Sequence, residues 1–202
     1  MSPANNEASR QLQLPGLFSP EKSTVYFDLE TQHSFDQVGG RHRIDKLRLS
    51  VAVIYDAASR QFRSYTEDQA MELIADLRQS QLVVGFNIRS FDYEVLRPYA
   101  GSSLSGIPTL DIMDHVVRDL GFRLSLDALA LGTLGEGKSG DGLQAIRWFR
   151  AGHLDQLVAY CQKDVDIVRR LHEFGADEGC LYYFDRNGNK KRLPVKWDQE
   201  GA

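Results

Sequence analysis

The spacing of hydrophobic and polar positions changes period along this chain, and each change marks an element. From Ser23, STVYFDLET reads as a strand over residues 24–29, and KLRLSVAVIYD reads as a second strand rich in β-branched residues. Between them HSFDQVGGRHRID supplies a turn around Gly39 and Gly40, and after the short DAAS connection RQFRSYT makes a third strand, completing an antiparallel meander. At TEDQAMELIADLRQS the period becomes helical: Thr66 is placed as N-cap, and Met71, Leu73, Ile74 and Leu77 form the apolar stripe.

QLVVGFN then reads as a short strand of the kind buried on both faces. A helix over 90–100 follows, then a short strand at PTLDI and helices over 112–120, 125–131, 142–151 and 153–173. CLYYFDRNGNKKRLPVKW reads as a hairpin turning at Asn187-Gly188. A meander followed by alternating helices and strands is a mixed α/β layout, with the meander at one edge of the sheet. Residues 1–21 are polar, carry Pro3, Pro15 and Pro20, and are expected to be a flexible leader. The expected organisation is that leader, a folded domain over 22–178, and a hairpin and tail over 179–202.

At 202 residues and 42% hydrophobic content, the chain has room for one well-buried domain with small appendages. Its net charge of -4 argues against binding nucleic acid by charge alone, but leaves open an enzyme whose acids hold metal ions. Cys161 and Cys180 make neither a disulfide framework nor a zinc-site pattern, which fits a reducing cytoplasm. Apolar runs fall well short of the roughly 20 residues of a membrane span, and the N-terminus lacks the pattern of a signal peptide.

LGTLGEGKSGDG, read from Gly132, satisfies the phosphate-loop pattern, with Lys138 and Ser139 closing it. Such a loop must follow a buried strand, and here it follows SLDALAL, whose Ser125 cap and Leu126, Leu129 and Ala130 face read as a helix ending at Gly132. The acid for Mg²⁺ would have to come from VYFDLE, far upstream, in the reverse of the usual order. A Gly-rich surface loop between two helices accounts better for the stretch.

The acids point elsewhere. In VYFDLET, Asp28 and Glu30 lie two apart on a strand, so both carboxylates project from one face, where a divalent cation is the natural partner. In VVGFNIRSFDYEVL an apolar strand leads to Asn87, Phe91 and then Asp92 at a helix start. In LVAYCQKDVDIVRRL, Tyr160 and Asp164 are four apart on one helical face, and Leu157, Val158, Val165, Val168 and Leu171 give that helix a core-facing stripe.

Together FDLET, GFNIRSFD and YCQKDV resemble the three motifs of the DEDD family of 3′→5′ exonucleases, in its Tyr-containing branch within the ribonuclease-H-like superfamily. With LDIMD, the second motif is most similar to the proofreading domain of family B DNA polymerases and to related stand-alone bacterial exonucleases. The resemblance implies a ribonuclease-H-like α/β fold, a mixed sheet of antiparallel meander and parallel strands flanked by helices. It implies that Asp28, Glu30, Asp92 and Asp164 are metal-binding carboxylates and that Tyr160 orients the attacking water. Thr31, Asn87 and Phe91 match positions near the terminal nucleotide of the substrate. The implied cofactors are two divalent cations, Mg²⁺ or Mn²⁺, and the implied partner is a nucleic acid 3′ end, single-stranded DNA favoured and RNA possible.

Phosphodiester cleavage needs a hydroxide-like nucleophile near neutral pH and a neutralised leaving oxygen, which two such ions supply. Hard oxygen ligands select them over zinc. In this reading Lys138 belongs to a loop between the second and third motifs and touches a phosphate of the incoming strand. His33, His42, His115, His153 and His172 lack metal-ligand spacing, and Arg41, Arg43, Arg48, Lys190, Lys191 and Arg192 are expected on solvated turns. Trp148 and Phe149 are expected to pack in the core or between helices.

Overall fold

A computed structural model describes residues 23–137 and 142–197. The meander is formed by β1 (Thr24–Thr31), β2 (Leu49–Asp56) and β3 (Gln61–Thr66), each antiparallel to the next. β4 (Leu82–Gly85) adds parallel to β1, and β5 (Thr109–Asp111) parallel to β4, so the sheet runs β3-β2-β1-β4-β5. The expected mixed sheet, with the meander at one edge, is the observed one.

Two layers of helices cover it. On one face Val25, Phe27, Leu29, Ala52 and Ile54 pack with α2 (Ala70–Gln79) and α3 (Asp92–Ala100). On the other, Tyr26, Val51, Val53, Val84 and Leu110 pack with α5 (Leu126–Leu134), α6 (Gly142–Ala151) and the long α7 (Leu154–Glu178). The period of two in β1 thus sends Val25, Phe27 and Leu29 to one layer and Tyr26, Asp28 and Glu30 to the other. Burial of β1 on both sides makes any charge on it costly, so its two acids are confined to its exit from the core.

Several local expectations change. Two short helices, α1 (Phe35–Val38) and a 3₁₀ segment (Arg41–Lys46), flank the turn at Gly39 and Gly40, whose φ angles of 91° and 114° suit glycine. Thr66 heads a 3₁₀ turn (Glu67–Gln69) ahead of α2, its N–H donating to Gln69 Oε1 at 3.3 Å. Met71 is not on the buried stripe: it is 59% exposed, because Ala70, Leu73, Ile74 and Leu77 form the row at helical spacing and Met71 lies outside it.

Gly132 does not end its helix. α5 continues to Leu134 and stops at Gly135, whose φ is 73°. Gly132 is needed for close packing, since a Cβ there would lie 2.3 Å from the Tyr182 backbone oxygen. Tyr182 belongs to the C-terminal hairpin of β6 (Cys180–Phe184) and β7 (Lys190–Pro194), whose Leu181 and Leu193 are buried in the same core as α5 and α7. The hairpin turns at Asn187-Gly188 as expected, with Asp185 Oδ1 accepting from the Asn187 and Asn189 N–H groups at 2.9 Å each.

Candidate active site

The site gathers where β1 leaves the sheet. Asp28 and Glu30 project toward α7, and the α7 stripe of Leu157, Cys161, Val165 and Val168 packs against the sheet and brings Asp164 to them. Carboxylate oxygens of Asp28, Glu30 and Asp164 all lie within 4.8 Å of one another, each on a partly exposed side chain. Asp92 comes from the start of α3. β4 pairs only with Thr24–Tyr26, so β1 has no strand neighbour on that side further along, and there Asp92 Oδ1 accepts from the Leu29 N–H at 3.2 Å. Asp92 is buried and borders the same cavity, but stands outside the cluster of three.

Burial pushes the Asp28 carboxyl well above the usual carboxylate range, and the charges of Asp92, Asp164 and Glu30 push it further. Glu30 is raised for the same reason, by burial and then by Asp164 and Asp92. Asp92 is pushed up to about 8, chiefly by burial and then by Asp111. Like charges at such separations repel strongly away from bulk water. The Tyr160 phenol is raised by burial and then by Asp164, Glu30 and Asp28, so it stays protonated and able to donate. Its ring packs against Trp148 with centroids 5.8 Å apart, which accounts for Trp148 on the partly buried face of α6.

A cavity of about 420 Å³ opens over the acids. Asp28, Glu30, Asp92 and Asp164 line it, and Thr31, Asn87 and Phe91 do as well, together with His33. Thr31 is held by its hydroxyl donating to the His33 carbonyl at 3.0 Å, and Phe91 meets Phe35 edge-on at 6.0 Å. Leu143 and Ile146 of α6 close the far wall. Lys138 and Ser139 lie outside the described residues; residues 126–134 before them are helical, so the strand required by a phosphate loop is not there.

Asp111, within LDIMD, is not among the expected site residues. Wholly buried at the end of β5, it accepts from the Asn87 N–H at 2.6 Å, the Arg89 N–H at 3.0 Å and the Met113 N–H at 3.0 Å. It thereby caps α4 (Ile112–Leu120) and clamps the turn after β4, where Asn87 sits at a φ of 66°. The readable signal was an acid directly ahead of a helical run. Cys161, one position after Tyr160, is also at the site, its Sγ 3.6 Å from Asp28 Oδ2.

The donor set suits a hard divalent cation: carboxylate oxygens converge from β1 and α7, and their mutual repulsion is relieved by positive charge. Asp28, Glu30 and Asp164 would hold such an ion, with Asp92 beside them.

Fold and site together define an α/β domain with an acid-lined cleft where its central strand leaves the core. A family model of the RNase H superfamily matches residues 25–174, and the chain belongs to that superfamily. Among solved structures, RNase D of Trypanosoma brucei is similar at a TM-score of 0.55 and 14% identity. The likeness covers 76% of this chain and 57% of that one; it carries the fold, and this chain spans little more than half of that protein's length. A search of curated proteins finds no match. Among the described residues no helix is long and apolar enough to cross a membrane.

Proposed function

We propose that this protein is a metal-dependent 3′→5′ exonuclease of the Tyr-containing DEDD type, acting on single-stranded DNA ends, with RNA as the alternative substrate, and releasing nucleoside 5′-monophosphates. The observation that carries the reading is the convergence of Asp28, Glu30 and Asp164 within 4.8 Å in a cavity that Asp92 also lines. Two divalent cations, Mg²⁺ or Mn²⁺, would supply a hydroxide-like water and neutralise the leaving oxygen.

The chain's own residues do the rest. Tyr160, kept protonated by burial and by the neighbouring acids, donates to and orients the attacking water. Thr31, Asn87 and Phe91 seat the terminal nucleotide, Phe91 offering a ring face and Asn87 a side-chain amide at the rim. Four carboxylates repel a phosphate unless their charge is balanced, so substrate binding and metal binding are coupled.

Purified protein incubated with 3′- and 5′-labelled oligodeoxynucleotides and Mn²⁺ is expected to shorten them from the 3′ end and to stop on chelation. Intact 3′ ends, or equal digestion by Asp28→Ala, would overturn the reading. A matched oligoribonucleotide in the same assay decides between DNA and RNA.

A further inference from the structure

A second cavity, about 680 Å³, lies between the α4–α5 connection and the C-terminal hairpin, lined among others by Phe122, Arg123, Tyr183, Phe184 and Arg186. Phe122 and Phe184 are 49% and 42% exposed, large apolar surfaces left in water on opposite sides of one groove. The hairpin side of the groove is tied to α5. Thr133 Oγ1 of α5 donates to the Tyr182 carbonyl at 3.0 Å and accepts from the Tyr182 N–H at 2.9 Å, and Tyr183 meets Phe122 edge-on at 6.2 Å.

Among the described residues two cations face the groove, and its one acid, Asp185, is engaged by the hairpin turn and by Lys191 at 3.3 Å. The groove also connects to the acids. Arg123 of the groove donates to Asn87 Oδ1 at 2.5 Å, and Asn87 lines the acidic cavity, so one hydrogen bond joins the two linings. The hairpin side, Tyr183 to Asn187, lies beyond the region that the superfamily model matches.

We propose that this groove is a stacking subsite for the single-stranded stretch of nucleic acid upstream of the end held at the acids, an inference that rests on the nuclease reading. Bases stack on Phe122 and Phe184, and the backbone passes Arg123 and Arg186 on its way to Asn87. Rings alternating with guanidinium groups match the alternation of bases and phosphates in a single strand, and they bind it without reading its sequence.

The test is the affinity for a fluorescent oligothymidylate, long enough to cross both cavities, by anisotropy with Ca²⁺ in place of the catalytic ions. The variant with Phe184→Ala and Arg186→Ala is expected to bind about tenfold more weakly, and Phe184→Trp to match the wild type. On an abasic strand of the same length, the gap between wild type and Phe184→Ala is expected to close. Both side chains are exposed, and the single variants repeat the measurement if the double variant melts early. Affinity indistinguishable from wild type, or an equal loss on the abasic strand, would sink the proposal. Wild-type protein that binds through the groove yet leaves 3′ ends intact defeats the nuclease reading and not this one.

Discussion

Two sets of acids lie within a few residues of the same cleft and are treated in opposite ways. At Asp28, Glu30 and Asp164 the carboxylates face one another, and each of Asp28 and Glu30 is raised by its neighbours' charges on top of burial. At Asp111 a wholly buried carboxylate accepts from three backbone N–H groups, which work against the upward push of burial. The first arrangement stores repulsion that an ion releases; the second spends its hydrogen bonds on backbone. Burial alone therefore does not mark a functional acid. What separates them is whether the protein has already provided the partner.

The largest expected effect comes from breaking the first set. Asp28→Ala should lower the rate of 3′-end cleavage on the order of 10³-fold, the scale of several kcal/mol that a bound ion contributes. In chelator the same variant should melt at a higher temperature than wild type, because one of the repelling charges is gone. Single-turnover rates and thermal denaturation in EDTA check both halves. A variant that loses stability and keeps its rate would put Asp28 with Asp111.

The comparison can be sharpened by pH. Asp28 and Glu30 protonate more readily in the folded chain than in the unfolded one, so in metal-free buffer their contribution to stability grows as pH falls. His172 works the other way. Burial lowers it to about 4, with its Nδ1 3.1 Å from the Tyr26 hydroxyl. Between its unfolded value near 6.5 and 4 the unfolded chain binds more protons, so stability is full above that window and falls through it by about 3 kcal/mol. Urea midpoints of wild type and His172→Gln from pH 7 to 4 read the difference, and parallel curves would count against it.

Breaking the second set should cost less. Asp111→Ala leaves three backbone donors without their acceptor and should destabilise by about 2 kcal/mol, with cleavage reduced because the Asn87 turn relaxes. Asp111→Asn, which keeps an acceptor oxygen, should recover part of both. Denaturant melts and KM for an oligonucleotide follow the two effects. An Asp111→Ala protein as stable as wild type would mean that the clamp is idle.

What could be read from sequence was what depends on period. Asp28 and Glu30 share a face because a strand alternates, Tyr160 and Asp164 share one because a helix repeats, and both elements had unambiguous apolar patterns. What depends on neighbours distant in the chain could not be read. The Asn87 and Arg89 donors meet Asp111 only because β5 lies beside β4. Gly132 looked like a helix end because glycine commonly is one, whereas the true constraint is Tyr182 lying across α5, contributed by a strand fifty residues on. Met71 was misplaced for a simpler reason: its size suited a core, but its angle around α2 did not.

The smallest effect should come from Lys138. It lies beyond the described residues, in the stretch that leads into α6, and α6 supplies Leu143 and Ile146 to the wall of the acidic cavity. A single solvent-screened contact between a lysine and a phosphate contributes about 1 kcal/mol or less. Lys138→Ala should therefore weaken oligonucleotide binding a few-fold, more at low salt than at high, and leave metal-dependent cleavage at saturating substrate intact. Loss of cleavage would make Lys138 part of the chemistry; unchanged binding across the salt series would remove it from the strand's path. Either result bears on the comparison, because it says whether the balance of charge at Asp28, Glu30 and Asp164 is completed by ions alone or shared with a side chain of the protein.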